Sequence, residues 1–100
     1  MSYVNNEFIR PDLFNATTGT GALTTNPVVL YNIHVVIATA TEDLEIRDGA
    51  GGTLVLDIKA STAINTNFEF PGGLYLDKGI HITRGSSATG TLRFDYSEAF

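Results

Sequence analysis

Residues 28–40 read Val-Val-Leu-Tyr-Asn-Ile-His-Val-Val-Ile-Ala-Thr-Ala and form the longest apolar run of the chain. If this segment is extended, alternate side chains point to opposite faces. One face then carries only Val, Tyr and Ile, at positions 29, 31, 33, 35 and 37, whereas the other face is mixed. A helix would scatter both sets round its circumference and would restrict the β-branched side chains. The segment therefore predicts a long β-strand with one fully apolar face.

The rest of the chain repeats this alternation in shorter units. Further alternating segments follow at residues 44–47, 53–59, 67–70, 74–76, 80–83 and 91–96. Polar or glycine-rich turns separate them, and Pro71-Gly72-Gly73 is expected to turn the chain between two of these strands. Short strands at regular spacing, without a helix, are typical of a sandwich or a jelly roll. We predict an all-β fold, a single small antiparallel β-sandwich or jelly-roll-like domain.

The predicted core consists of the inward-pointing apolar side chains of these strands. At roughly 1.5–3 kcal/mol for each large side chain that is fully buried, such a core is enough to stabilise a small domain. Its members are Tyr31, Ile33, Val35, Ile37, Leu44, Ile46, Leu54, Leu56, Ile58, Phe68, Phe70, Leu74, Leu76, Ile80, Ile82, Leu92 and Phe94.

The residue pattern of the N-terminal region, residues 1–27, differs from that of the rest of the chain. Their apolar side chains follow no sustained period, and a small, flexible stretch with Gly19 and Gly21 comes after them. They are either a loosely ordered terminus on their own domain or an extended arm that docks on a neighbouring chain. Because disordered tails are usually poor in aromatic residues, we favour an arm at residues 1–27, followed by the sandwich domain at residues 28–100. The arm's anchors would be Tyr3, Phe8, Ile9 and Phe14.

Composition narrows the possible partners. The net charge is −5, and the six Lys and Arg residues never cluster, which argues against binding to nucleic acid. No segment approaches the roughly 20 apolar residues of a membrane span, and the first residues do not resemble a secretory signal. We therefore expect no nucleic-acid or membrane partner and synthesis in the cytoplasm.

The sequence offers little that points to catalysis. His34 and His81 are the only histidines, and the chain has no cysteine, whereas a metal site needs three or four converging ligands. Most carboxylates lie beside turns or at outward strand positions, where solvation explains them without a catalytic pair. We predict that the chain is not an enzyme and binds no metal or cofactor.

Four stretches carry a resemblance to a known class of protein. They are Leu30-Tyr-Asn-Ile-His-Val, Leu44-Glu-Ile-Arg-Asp-Gly, Phe68-Glu-Phe-Pro-Gly-Gly-Leu-Tyr-Leu-Asp-Lys-Gly-Ile-His-Ile-Thr and Gly90-Thr-Leu-Arg-Phe-Asp-Tyr. In this order they resemble the small β-sandwich virion proteins of tailed bacteriophages, which serve as capsid decoration (cement) proteins or related components. The resemblance covers about residues 28–96, and the N-terminal residues lie outside it.

The resemblance implies a non-enzymatic protein on the capsid surface of the virion. Such a protein would bind the major capsid protein as a homo-oligomer, often a trimer, and would bridge neighbouring capsid subunits. Two alternatives stay open: a tail, fibre or neck component of the virion, and a carbohydrate-binding or adhesin module. Beside the arm anchors, the candidate contact residues are His34, Tyr75 and His81.

Overall fold

The chain folds into two antiparallel sheets packed face to face. The computed structural model describes residues 9–15, 20–37, 43–59, 62–85 and 90–99, with side chains from residue 21 onward. Sheet A has the strand order β1-β8-β3-β6, and sheet B has the order β2-β7-β4-β5. Every described residue in regular secondary structure lies in a strand. The predicted all-β sandwich is therefore confirmed.

Each sheet has four strands, and all the strand pairs are antiparallel. In chain order the strands are β1 (Ile9–Asn15), β2 (Thr20–Thr24), β3 (Val28–Ile37), β4 (Asp43–Asp48), β5 (Leu54–Lys59), β6 (Ile64–Leu76), β7 (Ile80–Arg84) and β8 (Thr91–Glu98).

The core lies between the sheets, and most of its members belong to the inward sets predicted from alternation; Val28, Leu30 and Tyr96 are buried although the predicted core does not include them. Leu56, Phe68, Phe70 and Leu74 are partly buried against it. Because interiors of this kind pack as densely as organic crystals, each of these positions is sensitive to a change in volume. The fully packed members are Val28, Leu30, Ile33, Val35, Ile37, Leu44, Ile46, Ile58, Leu76, Ile80, Ile82, Leu92, Phe94 and Tyr96.

A β-bulge at Tyr31 changes which side chains of β3 enter the core. Leu30 pairs with Tyr96 of β8, and Asn32 pairs with Asp95, so Tyr31 has no partner in that ladder. An extra residue shifts the alternation by one position. Val28 and Leu30 are therefore buried, whereas Tyr31 is 37% exposed. The prediction that Tyr31 belongs to the core is wrong, because it assumed an unbroken period of two.

The Pro71-Gly72-Gly73 segment does not turn the chain. On one side of it Glu69 pairs with Asn32, on the other Leu74 pairs with Leu30, and both pairs belong to the same antiparallel ladder. The segment is a wide bulge within one long strand, β6. Gly72 and Gly73 have φ angles of 81° and 90°, a conformation that glycine adopts readily. These glycines let the backbone leave the ladder and rejoin it.

Leu54 is a second error in the predicted core. Between β4 and β5, Ile46 pairs with Leu56 but Arg47 pairs with Leu54, so Val55 is an extra residue. This irregularity turns Leu54 to the outer side of the sheet, where it is 41% exposed.

The N-terminal region contributes strands to both sheets of its own chain. β1 pairs with β8 at the edge of sheet A, and β2 pairs with β7 at the edge of sheet B. Residues 1–8 and 16–19 lie outside the described part of the chain. Docking of residues 1–27 on a neighbouring chain stays a prediction, and the described strands of that region are integral to the sandwich.

Asp48 ties two loops together at one end of the sandwich. Its Oδ1 accepts a hydrogen bond of 2.8 Å from the backbone N–H of Lys78, and its Oδ2 accepts one of 3.3 Å from that of Asp77. The side chain at the end of β4 thereby fixes the turn between β6 and β7.

Candidate binding surfaces

The outer face of sheet A is rich in amide and tyrosine side chains, and we call it the amide–tyrosine face. Asn32 Nδ2 donates to Asn67 Oδ1 at 3.1 Å and to Asp95 Oδ2 at 3.4 Å. These bonds link the three adjacent strands β6, β3 and β8. The face consists of Val29, Tyr31, Asn32, His34, Asn65, Asn67, Glu69, Tyr75, Arg93, Asp95 and Ser97.

His34 belongs to the same polar network. Its Nε2 lies 2.7 Å from Asn65 Oδ1. Because an amide oxygen only accepts hydrogen bonds, Nε2 is the donor of this bond. His34 is thus held at the surface by an amide of the neighbouring strand.

Two tyrosines of this face are exposed. Tyr31 lies at the bulge of β3, and its hydroxyl is 3.3 Å from Ser97 Oγ. Tyr75 is 56% exposed, and its hydroxyl donates to Asp77 Oδ1 at 3.2 Å. This hydrogen bond raises the pKa of the Tyr75 phenol above its ordinary value, because the phenolate would lose the proton that Asp77 accepts.

A cleft of about 500 Å³ opens on this face where the bulges of β3 and β6 lie side by side. The cleft is shallow and open to solvent, and its size is within the range of small-molecule sites. Aromatic side chains, amides and carboxylates surround it together. The lining consists of Tyr31, Asn32, Asn67, Glu69, Phe70, Pro71, Gly72 and Asp95.

Two oxygens beneath this cleft accept no hydrogen bond. They are Asn32 Oδ1 and Asp95 Oδ1, both shielded from solvent. Arg93 Nε lies 3.6 Å from Asp95 Oδ1, which is too long for a hydrogen bond. A buried acceptor without a donor costs about 1–3 kcal/mol, and both oxygens belong to side chains that line the cleft.

The outer face of sheet B is charged, and we call it the ion-pair face. Glu45 and Asp57 are directly opposite each other in the ladder, an arrangement that repels. Arg47 Nη2 lies 3.2 Å from Glu45 Oε1, and Lys59 Nζ lies 3.2 Å from Asp57 Oδ1. The hydrogen bond to Asp57 and its charge raise the pKa of Lys59. The face consists of Asp43, Glu45, Arg47, Leu54, Asp57, Lys59, His81 and Thr83.

The candidate contact residues do not form one surface. His34 and Tyr75 lie on the amide–tyrosine face, whereas His81 pairs with Arg47 on the ion-pair face, across the sandwich. His81 is half-buried there, and its Nδ1 has no hydrogen-bond partner. Of the proposed arm anchors, Tyr3 and Phe8 lie outside the described residues. Ile9 and Phe14 belong to β1, but their side chains are outside the described part.

Sequence reasoning missed the cleft. Tyr31 was placed in the core, and Asn32, Asn67, Glu69 and Asp95 were not connected. Asn32 and Asp95 stand far apart in the chain and meet because β3 pairs with β8, and Glu69 joins them because β3 also pairs with β6. The sequence signal for the cleft is that Asn32 and Asp95 are polar residues within otherwise apolar strands.

Among the described side chains, no group of three or more His, Asp and Glu residues is arranged to hold a metal ion. The described residues also include no helix long and apolar enough to cross a membrane. Comparison with protein-family models, with curated proteins and with solved structures finds no match to this chain.

Proposed function

We propose that this chain is a non-enzymatic structural protein of a tailed-phage virion, of the capsid-decoration type. It binds the major capsid protein at the head surface as a homo-oligomer, a trimer, and bridges neighbouring capsid subunits. Expansion or internal pressure must then break these added contacts as well. The sequence resemblance over residues 28–96 supports the assignment to this class of virion proteins. The amide–tyrosine face supports a function in binding.

The exposure of Tyr75 is the observation that carries this proposal. Large exposed hydrophobic side chains among the described residues are Tyr31, Leu54 and Tyr75, and Tyr75 is the most exposed. Tyrosine is enriched in interface cores and at energetic hot spots because it buries a large, rigid surface and keeps a polar end. Val29 pairs with Tyr75 and extends the apolar area. We place the centre of the capsid contact at Tyr75.

The N-terminal residues add a second contact in this proposal. Because β1 pairs with β8 of its own chain, we assign this contact to residues 1–8, with Tyr3 and Phe8 as anchors. Linking two weak contacts through one chain raises the overall affinity by an effective-concentration effect.

The test is a cosedimentation assay on phage heads assembled without this protein. Tyr75→Ala is expected to weaken binding by about tenfold or more, as truncation of a hot-spot tyrosine does. Leu54→Ala is the matched control, because Leu54 is also a large exposed side chain but lies on the opposite sheet. Equal binding of Tyr75→Ala and the unmodified protein, or an equal loss with Leu54→Ala, would contradict the placement of the contact.

The arm is tested separately by removing residues 1–8. This truncation spares β1, whereas a longer one would remove the strand that pairs with β8. We expect weaker head binding with an unchanged melting temperature. Unchanged binding would show that the arm takes no part.

A tail, fibre or neck component is the alternative within the same class. Quantitative mass spectrometry of purified virions separates the two. Hundreds of copies per particle fit a head protein, and a handful fits a tail component.

A further inference from the structure

The cleft on the amide–tyrosine face is built by local backbone geometry. Four residues of β6, from Phe70 to Gly73, lie opposite Tyr31 alone. A Cβ atom on Gly73 would clash with Val29 Cγ1 and would lie 3.1 Å from Tyr31 Cε1. The Tyr31 ring therefore rests directly on the Gly73 backbone. With its hydroxyl 3.3 Å from Ser97 Oγ, the side chain contacts both neighbouring strands, β6 and β8.

The groups around the cleft combine an aromatic ring with planar polar side chains. Tyr31 is exposed and Phe70 half-buried, while Asn67 and Glu69 are exposed. An aromatic face attracts C–H groups that carry partial positive charge. Amides and carboxylates present donors and acceptors in a plane that matches neighbouring hydroxyl groups. A molecule with C–H faces and a rim of hydroxyls meets both requirements.

The unpaired acceptors specify what the ligand must offer. Asn32 Oδ1 and Asp95 Oδ1 have no hydrogen-bond donor among the described residues. The terminal torsion of Asn and Asp side chains is broad, so rotation can present these oxygens to a ligand in exchange for the present bonds of Asn32 Nδ2. Ligand hydroxyls would then supply the donors that the protein lacks.

Charge distinguishes neutral from anionic ligands. Glu69 and Asp95 both line the cleft, and no Lys or Arg does. Arg93 Nε lies 3.6 Å from Asp95 Oδ1, but Arg93 is not part of the lining. A carboxylate, sulfate or phosphate group on the ligand would meet two like charges there.

We propose that this cleft, with Tyr31 as its platform and Asn32, Asn67, Glu69 and Asp95 as hydrogen-bonding groups, is a binding site for a neutral saccharide. The inference goes beyond the proposed virion function and does not rest on it. Tyr75, the centre of the proposed capsid contact, does not line the cleft. The two tyrosines therefore separate the two activities.

The experiment is a nitrogen–proton NMR titration of the full chain. The probes are glucose, galactose, mannose, N-acetylglucosamine, maltose, lactose and cellobiose, each at millimolar concentrations, with N-acetylneuraminic acid as the anionic probe. We expect at least one neutral sugar to give saturable shifts at the backbone amides of Asn32, Glu69, Gly72 and Asp95. The anionic sugar is expected to give none there.

Variants assign the site. Tyr31→Ala is expected to weaken sugar binding about tenfold or more, as loss of a stacked aromatic does, while Tyr31→Phe keeps the ring and retains binding. Tyr75→Ala, a tyrosine of the same face outside the cleft, should bind sugar normally. The proposal is overturned if no neutral sugar saturates, if the shifts map outside the cleft, if the anionic probe binds equally well, or if Tyr75→Ala and not Tyr31→Ala abolishes binding. Capsid binding by Tyr31→Ala is measured as well. Because the capsid contact is centred on Tyr75, this variant separates a failure of the sugar proposal from a failure of the capsid proposal.

Discussion

The two sheets bury the same kind of inner face but present different outer faces. On sheet B, opposed carboxylates Glu45 and Asp57 are each neutralised by a basic neighbour. On sheet A, amide and tyrosine side chains surround a cleft, and two acceptors lack donors. Each face leaves a buried polar atom without a hydrogen-bond partner, His81 Nδ1 on the ion-pair face and Asn32 Oδ1 on the amide–tyrosine face, so the difference lies in the cleft and the exposed tyrosines. Unsatisfied polar groups beside exposed aromatics indicate a binding surface.

The largest expected effect comes from filling the space beneath Tyr31. Gly73→Ala puts a methyl group against Val29 and the Tyr31 ring at a φ of 90°. Left-handed strain and overpacking each cost about 1–3 kcal/mol, so the free energy of unfolding should fall by about 2–6 kcal/mol in urea denaturation. Gly72→Ala is the control, because Gly72 also has a positive φ, 81°, but no atom lies within 4 Å of the position that its Cβ would take. Only the backbone strain therefore remains in this variant. Equal losses in both variants would show that the bulge is loosely packed.

The next effect tests the amide network. Asn32→Asp removes the donor to Asn67 and Asp95 and adds a carboxylate beside Asp95. We expect a loss of about 1–3 kcal/mol in the free energy of unfolding at neutral pH. Asn65→Asp is the matched control, since a carboxylate still accepts the bond from His34 Nε2, and it should cost nothing. A stable Asn32→Asp variant would mean that the face does not depend on this amide.

A smaller effect is expected on the ion-pair face. Arg47→Met removes the ion pair with Glu45 and the 3.0 Å hydrogen bond from Arg47 Nη1 to the carbonyl of Gly52. It also leaves Glu45 opposite Asp57 without compensation. We expect a loss of about 1 kcal/mol at low ionic strength, decreasing as sodium chloride is added. The change in the free energy of unfolding caused by His34→Gln on the amide–tyrosine face should not depend on salt. If the two variants respond to salt alike, the contrast between the faces is not electrostatic.

The smallest effect concerns the Tyr75 phenol. Because its folded pKa is raised, chiefly by the hydrogen bond to Asp77, the interaction stabilises the fold below the ordinary tyrosine pKa. It is lost as the pH rises through the raised pKa. Asp77→Asn should lower the Tyr75 pKa toward its ordinary value. An ultraviolet absorbance titration, with Tyr75→Phe to identify the signal, measures the change, and an unshifted curve would contradict the contact.

The alternation of apolar and polar residues predicted the fold and most of the core, because burial of every second side chain of a strand produces both. Ile33, Ile82 and Phe94 point inward for the reason that made them recognisable, their place in a period of two. Tyr31 and Leu54 were misassigned because a bulge adds a residue that local alternation does not register.

Composition also could not distinguish the two structures open to Pro71-Gly72-Gly73. Glycines with positive φ serve a turn and a wide bulge equally well. The cleft required the strand order, since Asn32, Glu69 and Asp95 meet only across three neighbouring strands. Sequence spacing carries no information about that adjacency.

Tyr31 is the one residue of β3 that has no paired residue on either β6 or β8. An in-frame deletion of its codon would bring Leu30 next to Asn32 and leave a regular strand from Val28 to Ile37, with every interior position still facing inward. The aromatic platform of the cleft is therefore separable from the fold by a single genetic event. A lineage of such chains would gain or lose this recognition surface without redesigning its hydrophobic interior.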